Sequence, residues 1–241
     1  MPTLDNAVVL ITGANGGIGT ELVTQALARG ARKVYATARV PRAWDDERVV
    51  PISLDVTDGR SIAEAANTAD DVTVLINNAG VVPASWGLLT VTEADLRANM
   101  ETNFFAPVLI ARAFAPILAA RRGTAIIDIH SVASWYAFAG AYSASKAALW
   151  SATNSLRLEL APEGVHVMGV HMGYVDTAMA AHSDGPKLQP ATLVAEVFDA
   201  LERGDYEVIA DQLSREIKSA LSAPIESLYP ELQAAKPTGA L

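Results

Sequence analysis

The feature that most constrains the fold is a glycine-rich turn, GANGGIG at residues 13–19, set between a strand pattern and a helix pattern. Residues 7–12 (AVVLIT) form a continuous apolar run, which is typical of a strand buried on both faces of a parallel sheet. Residues 20–29 place apolar side chains at helical spacing, and Gly30 follows where a helix would end. The three pieces predict the first half of a β-α-β unit.

The glycine spacing also predicts a ligand. Gly13, Gly17 and Gly19 allow the backbone to turn tightly, to approach a pyrophosphate, and to bring the next helix close to its strand. The free N–H groups at the start of that helix suit phosphate oxygens. A turn without any ligand is the alternative, but the flanking strand and helix favour dinucleotide binding.

Further strands alternate with helices along the chain. This alternation predicts a three-layer α/β fold with a doubly wound parallel sheet and helices on both faces, and the length suits a single domain over residues 1–241. The predicted strands after the first are residues 33–38, 49–54, 72–77, 124–129, 165–170 and 206–210.

The predicted helices include one long segment. Residues 92–122 open with a capping pattern, Thr92 followed by Asp95, and continue with mostly helical periodicity. Pro107 and Pro116 are expected to bend or divide this segment. Shorter helices are predicted at residues 61–67, 142–160 and 192–202, and an irregular tail is predicted at residues 224–241.

Composition narrows the possible partners. The chain has 18 basic and 27 acidic residues, a net charge of −9, which would repel nucleic acid and anionic membranes. It contains no cysteine, so disulfides and thiolate catalysis are excluded. The amino-terminal sequence lacks a signal-peptide pattern, and we expect a soluble, cytoplasmic protein that binds neither nucleic acid nor a membrane.

A second motif, YSASK, predicts chemistry. Tyr142 and Lys146 are four residues apart, so on a helix they share one face. Ser131 precedes them at the end of a predicted strand, where active-site residues gather in open α/β sheets. A phenol, an ammonium and a hydroxyl can together move a proton at a carbonyl or alcohol oxygen. An ordinary exposed helix pair is the alternative for Tyr142 and Lys146.

The combination of motifs resembles the short-chain dehydrogenase/reductase family over nearly the whole chain. The motifs are TGANGGIG at residues 12–19, Asp55 after the third strand, NNAG at residues 77–80, Asn103, Ser131, and YSASK at residues 142–146. The resemblance implies a seven-stranded Rossmann sheet, a nicotinamide cofactor and reversible reduction of a carbonyl. It also implies a homodimer or homotetramer built through the two long helices.

The resemblance implies a role for each catalytic candidate. Tyr142 would be the general acid/base, and Lys146 would favour the phenolate through its charge and bind the nicotinamide ribose. Ser131 would hydrogen-bond the substrate oxygen, and Asn103 would hold a water beside Lys146. Ser131 lies eleven residues before the tyrosine, whereas thirteen is common in the family, so Ser134 is a competing candidate.

Cofactor choice depends on the end of the second strand. An acid there would bind the adenosine 2′-hydroxyl, but this chain has Arg39, whose guanidinium can bind a 2′-phosphate. NADP(H) is therefore favoured over NAD(H), for which Arg39 would be merely solvated. The predicted cofactor-binding residues are Gly13, Asn15, Gly16, Gly17, Ile18, Arg39, Asp55, Val56, Asn78, Ala79, Gly80, Tyr142, Lys146, Val175 and Thr177. Asp55 has a helix cap as its alternative role.

The predicted substrate pocket is apolar and aromatic, and it has no extra cation to bind a carboxylate or phosphate. A small-molecule substrate, a neutral and fairly hydrophobic ketone, aldehyde or alcohol, is therefore expected. Residues 178–189 are predicted to form a lid, or else a plain surface loop. His130 is expected to pack rather than to ligate a metal, because no histidine cluster accompanies it. The pocket residues are Val82, Trp86, Trp135, Tyr136, Phe138, Tyr174 and Met179.

Two functions follow from these motifs. The first is an NADP(H)-dependent oxidoreductase that interconverts a carbonyl and an alcohol. The second is a non-catalytic sensor that binds NAD(P) with the same fold.

Overall fold

The computed structural model describes residues 1–234. The strands within them are β1 (Val8–Thr12), β2 (Lys33–Ala38), β3 (Val49–Ser53), β4 (Val74–Asn77), β5 (Ala125–Ile129), β6 (His166–His171) and β7 (Glu207–Ile209). All pair in parallel within one sheet of order β3-β2-β1-β4-β5-β6-β7. The predicted fold class and the predicted strands are thus confirmed, with strand ends within two residues.

The helices cover both faces of this sheet. They are α1 (Gly17–Ala28), α2 (Gly59–Thr68), α3 (Glu93–Met100), α4 (Ala106–Ala119), α5 (Gly140–Leu160), α6 (Pro190–Arg203), α7 (Gln212–Ser219), α8 (Ile225–Leu228) and α9 (Glu231–Ala234). Gly30 lies just past the end of α1 and has a φ of +90°, as predicted for a residue that follows a helix end.

The central strand β1 shows how the sequence builds the three layers. Alternate side chains of a strand point to opposite faces. Val9 and Ile11 join the core under α1 and α6, whereas Val8 and Leu10 join the core under α2 and α4. All four are fully buried, and each contributes about 2 kcal/mol relative to exposure. A strand buried on both faces places the glycine turn firmly at its carboxyl end.

The long helical segment, residues 92–122, is divided just before Pro107, the first of the two prolines that were expected to bend or divide it. Thr92 caps α3 by accepting a hydrogen bond from the Asp95 N–H, as its sequence pattern predicts. A π-helical turn, Glu101–Phe105, then separates α3 from α4. Pro107 lies in the first turn of α4, where a missing N–H is tolerated. Pro116 lies inside α4 without ending it.

The same segment, Glu93–Ala119, is long and apolar enough to cross a membrane by length and composition, with a mean hydropathy of 1.5. This test carries little weight for a single helix, because the core helix of a soluble protein also passes it. Here α4 buries Ile110, Phe114 and Leu118 in the core between helix and sheet. The packing accounts for part of the apolar composition, since 39% of that stretch is buried.

The carboxyl-terminal part differs from its prediction. Helix α7 was not predicted, and residues 224–234 contain the short helices α8 and α9 instead of an irregular tail. Tyr229 ties this region to the rest of the chain, since its hydroxyl accepts a hydrogen bond from the Ala137 N–H at 2.9 Å. The rest of the predicted tail, residues 235–241, lies outside the described residues.

Candidate active site

A cavity of about 1250 Å³ opens at the carboxyl ends of the central strands. The order of the sheet reverses between β1 and β4, and ligands of open α/β sheets bind at such a point. Every predicted cofactor-binding residue lines this cavity, from the glycine turn at one end to Val175 and Thr177 at the other. Ser131, Tyr142 and Lys146 line it as well.

The glycine turn is shaped for close backbone approach. Gly13 has a φ of +67°, which favours glycine. A β-carbon on Gly19 would lie 2.2 Å from the Gly13 carbonyl oxygen, so no side chain fits there. Asn78 supports the turn from β4, because its side-chain amide donates to the carbonyls of Thr12 at 2.8 Å and Gly13 at 3.1 Å. Asn78, a predicted cofactor-binding residue, therefore also holds the glycine turn in place.

The start of α1 fits a dinucleotide pyrophosphate. No side chain caps this helix at Gly16, so its first-turn N–H groups face the cavity without a capping acceptor. The partial positive charge of a helix N-terminus favours phosphate. A β-carbon on Gly17 would lie 2.7 Å from Cγ2 of Thr177, so the turn lies close to this predicted cofactor-binding residue.

The end of the cavity that is predicted to hold adenosine carries one cation, Arg39, and one acid, Asp55. Arg39 is exposed and lines the cavity directly after β2. The Asp55 carboxylate accepts hydrogen bonds from the N–H of Thr57 at 2.9 Å and from its hydroxyl at 2.7 Å. These bonds, with a smaller effect of the Arg39 charge, lower the pKa of Asp55. Asp58, not Asp55, caps α2.

Ser131 reaches the tyrosine despite the shortened loop. It follows β5 directly, and its hydroxyl accepts a hydrogen bond from the Ala133 N–H at 3.1 Å. Burial raises the pKa of Tyr142 to about 12, and the nearby Ser131 hydroxyl opposes this rise. Ser134 is buried, its hydroxyl has no hydrogen-bond partner among residues 1–234, and it does not line the cavity. The preference for Ser131 over Ser134 agrees with this placement.

Lys146 lies one helical turn after the tyrosine. Its Nζ donates to the Ile129 carbonyl at 2.7 Å and lies 5.8 Å from the centroid of the Tyr142 ring. Burial lowers the pKa of Lys146 to about 8, whereas the charge of Asp128 raises it. Lys146 was expected to lower the pKa of Tyr142. In the structure this pKa is raised instead, because burial of the phenol dominates.

Asn103 lies in the π-helical turn behind the cavity wall. Its side-chain N–H₂ group donates to the Val81 carbonyl at 2.9 Å and to the Ser145 hydroxyl at 3.0 Å, and its oxygen accepts from the Val81 N–H at 2.9 Å. The side chain thus fixes the segment that follows the NNAG motif. Its predicted contact with a water beside Lys146 stays a prediction.

Two predicted pocket residues do not line the cavity. After Ser131 the chain makes two short 3₁₀ turns, which direct Trp135 and Tyr136 away from it. Trp135 instead stacks on His171 with ring centroids 3.9 Å apart. Tyr136 stacks on Tyr229 at 5.3 Å. Both assignments to the substrate pocket are therefore corrected to packing roles.

The remaining pocket residues meet around the tyrosine. Val82, Trp86, Phe138, Tyr174 and Met179 all line the cavity, and the Trp86 ring stands edge-on to Tyr142 at 6.5 Å.

His182 also lines the cavity and was missed in the sequence. Its ring lies 5.3 Å from Trp86 and 5.6 Å from Tyr174. The sequence signal that could have identified His182 is its place in the predicted lid, residues 178–189. That segment is held at one end by a bridge between Val175 and Leu188.

His130 packs as expected and also reaches the cavity. It stacks on His171 at 4.6 Å, and both of its ring nitrogens are buried without a hydrogen-bond partner in the described part of the chain. Burial, reinforced by His171, holds the pKa of His130 well below its usual value. A neutral ring at this position adds no positive charge beside Lys146.

A doubly wound sheet, a glycine turn suited to a dinucleotide, and a Ser-Tyr-Lys cluster at the same cavity define a dinucleotide-dependent oxidoreductase. A family model for short chain dehydrogenases matches residues 7–187. The chain belongs to the short-chain dehydrogenase/reductase family, whose enzymes act on CH–OH groups.

Individual relatives agree with this assignment. A short-chain dehydrogenase from Penicillium crustosum, PC-15, is 39% identical over 192 residues, 72% of this chain and 68% of its own. An NADPH-dependent 1-acyldihydroxyacetone phosphate reductase from Schizosaccharomyces pombe is 36% identical over 194 residues, 76% and 64% of the two chains. The crystal structure of a short chain dehydrogenase from Burkholderia cenocepacia in complex with NADP has a TM-score of 0.88 at 37% identity, covering 95% and 99% of the chains.

Proposed function

We propose that this protein interconverts a neutral, fairly hydrophobic ketone or aldehyde and the corresponding alcohol, with NADP(H) as cofactor. The observation that carries the proposal is the meeting of Ser131, Tyr142 and Lys146 at one wall of the cavity that the glycine turn also lines. The alternative, a non-catalytic NAD(P) sensor, needs no such cluster.

The protein's groups divide the proton chemistry among them. When bound, the nicotinamide supplies or accepts the hydride. The Tyr142 hydroxyl donates a proton to the carbonyl oxygen during reduction, and the Tyr142 phenolate accepts the proton of the alcohol during oxidation. Ser131 hydrogen-bonds the same oxygen, and the Lys146 ammonium stabilises negative charge on the phenol during the transfer.

Arg39 supports the choice of NADP(H). Its guanidinium lies at the cavity directly after β2, and it donates no hydrogen bond to any residue in the range 1–234. It is therefore available to a 2′-phosphate. The likeness to a dehydrogenase crystallised with NADP supports the same choice.

The charge of the cavity wall supports a neutral substrate. Asp95 and Glu101 line the cavity, as do the apolar and aromatic groups around Tyr142. Two acids at the wall disfavour an anionic substrate, since like charges raise the cost of binding. His182, beside Trp86, adds a polar group that can contact a substrate.

The test is a spectrophotometric screen of the purified protein for NADPH oxidation with neutral ketones and aldehydes, and for NADP⁺ reduction with alcohols. We expect turnover, and we expect Tyr142→Phe to abolish it while NADPH binding, followed by fluorescence, is retained. Tight NADPH binding without turnover across the panel favours the sensor. Full activity of Tyr142→Phe refutes the role of the tyrosine.

We also propose a homodimer or homotetramer built through α4 and α5. Exposed apolar side chains on these helices support it: Phe105, at the end of the π-helical turn, and Leu109 are 44% and 41% exposed, and Leu158 is 77% exposed. Light scattering that gives the mass of a monomer refutes this proposal.

A further inference from the structure

A buried carboxylate lies beneath the active site, and the mechanism above does not use it. Asp128, in β5, is fully buried and does not line the cavity. One of its oxygens accepts a hydrogen bond from the Asn77 side-chain amide at 2.8 Å. The other accepts from the Thr153 hydroxyl at 2.7 Å. Asp128 therefore connects β4, β5 and α5 at one point.

These two hydrogen bonds do not by themselves explain a carboxylate. Both donors are neutral, and an uncharged side chain of the same shape could bond to them. A buried charge is costly unless it is both hydrogen-bonded and paired. If the Asp128 carboxylate is ionised, a cation is therefore expected close to it.

Among the described residues, Lys146 is the cation whose charge acts most strongly on Asp128, although the two do not form a direct ion pair. Lys146 and Thr153 lie seven residues apart on α5, so they share the face that packs over β5. The lysine Nζ donates to the carbonyl of Ile129, the residue directly after Asp128. The two charges act on each other: the lysine lowers the pKa of Asp128, and the aspartate raises that of Lys146. Burial opposes both effects and is the larger influence on each group.

The other titratable groups around Lys146 leave Asp128 as its anionic partner. Tyr142 lies on the same helix, and burial raises its pKa, which keeps it neutral. His130, after β5, and His171, in β6, are both kept neutral by burial. Arg157 on α5 is a second cation near Asp128. In residues 1–234, Asp128 is the one carboxylate whose charge raises the pKa of Lys146.

We propose that Asp128 is a positioning residue that keeps the Lys146 side chain charged and aligned under the reacting atoms. It does not touch substrate or cofactor and acts through the lysine. The inference rests on the proposed function for its catalytic consequence, but the charge coupling itself can be measured without turnover.

The test compares Asp128→Asn, which removes the charge and keeps the shape, with Thr153→Val, which keeps the charge and removes one hydrogen bond. The first measurement is the NMR titration of the Lys146 side-chain ¹³Cε resonance in protein without added cofactor. The second is the pH profile of kcat/KM for ketone reduction. Asp128→Asn is expected to lower the lysine pKa by about one unit, a tenfold change in its protonation equilibrium.

The alkaline limb of the rate profile should move to lower pH by the same amount, because the ammonium is lost sooner. Thr153→Val should lose stability and leave the limb in place. The inference is overturned if Asp128→Asn changes neither the pKa of Lys146 nor the pH of the alkaline limb of kcat/KM. Equal shifts in both variants also overturn it, since they would reflect disturbed packing rather than lost charge.

Two further outcomes are distinguishable. If the wild-type protein turns over no substrate but the lysine titration shifts, the proposed function fails and the charge coupling stands. If Asp128→Asn does not fold, Asp128→Ser takes the same measurements. Failure of both to fold, with Thr153→Val folded, identifies the aspartate as a purely structural group and overturns the inference.

Discussion

The indole of Trp135 lies flat on the imidazole of His171, with ring centroids 3.9 Å apart and planes inclined by 15°. Nδ1 of His171 in turn lies 3.4 Å from the Ser131 carbonyl oxygen. Nζ of Lys218 lies over the same indole ring, 5.2 Å from its centroid. Trp135 therefore belongs to a stack that supports the serine from behind rather than to the wall that faces substrate.

The contrast between Trp135 and Trp86 gives a prediction about stability and binding. Trp135→Leu should lower the free energy of unfolding by about 2 kcal/mol, because it removes part of a buried ring, and should leave KM nearly unchanged. Trp86→Leu, at the half-exposed ring beside Tyr142, should raise KM and cost little stability. Urea unfolding and steady-state kinetics on both variants check this. If KM rises in Trp135→Leu but not in Trp86→Leu, the Trp135 ring belongs to the substrate pocket after all.

The sequence predicted the sheet well because its central strands β1, β4 and β5 are short, mostly apolar runs that are buried on both faces. It could not tell where Trp135 points, because a residue in a loop has no periodicity that fixes its direction. Only the 3₁₀ turns after Ser131 settle this. His182 was missed because a single histidine in a loop has no periodic pattern, although its place in the predicted lid was a signal.

Other differences have similar causes. Helix α7 is only eight residues long, too short for a clear periodic pattern. The order along the chain predicted the Ser-Tyr-Lys cluster, but the Asn77-Asp128-Thr153 contacts join residues far apart in the sequence, on three different elements. No spacing rule connects such residues.

A pair of serine variants tests the shortened loop between Ser131 and Tyr142. Ser131→Ala should reduce kcat/KM by about 100-fold, because it removes a hydrogen-bond donor to the substrate oxygen. Ser134→Ala should leave kcat/KM nearly unchanged, since its hydroxyl is buried without a partner and does not line the cavity. Steady-state assays on the two variants provide the comparison. A larger loss for Ser134→Ala would reverse the assignment.

Arg39 should determine cofactor preference. Arg39→Ala should raise the Kd for NADPH by roughly tenfold to 100-fold while changing the Kd for NADH little, because only NADPH offers a 2′-phosphate to the guanidinium. Fluorescence titration with both cofactors measures the ratio. Arg42→Ala is the matched control, since that guanidinium lies 3.9 Å from the Trp44 ring centroid instead of lining the cavity. Equal losses for NADPH and NADH would argue against a phosphate contact at Arg39.

His171 makes the fold sensitive to acid. Burial lowers its pKa to about 4 from a usual value of 6.5, although Glu207 opposes this shift. The unfolded chain therefore binds a proton between these values and the folded chain does not, so stability is complete above pH 6.5 and falls as the pH drops toward 4. At pH 5 the loss from this residue is about 2 kcal/mol. Urea unfolding at pH 7.5 and pH 5 should show a smaller difference for His171→Gln than for the wild-type protein. The same substitution at the exposed His182 controls for the added glutamine, and an equal pH dependence in all three proteins would contradict the prediction.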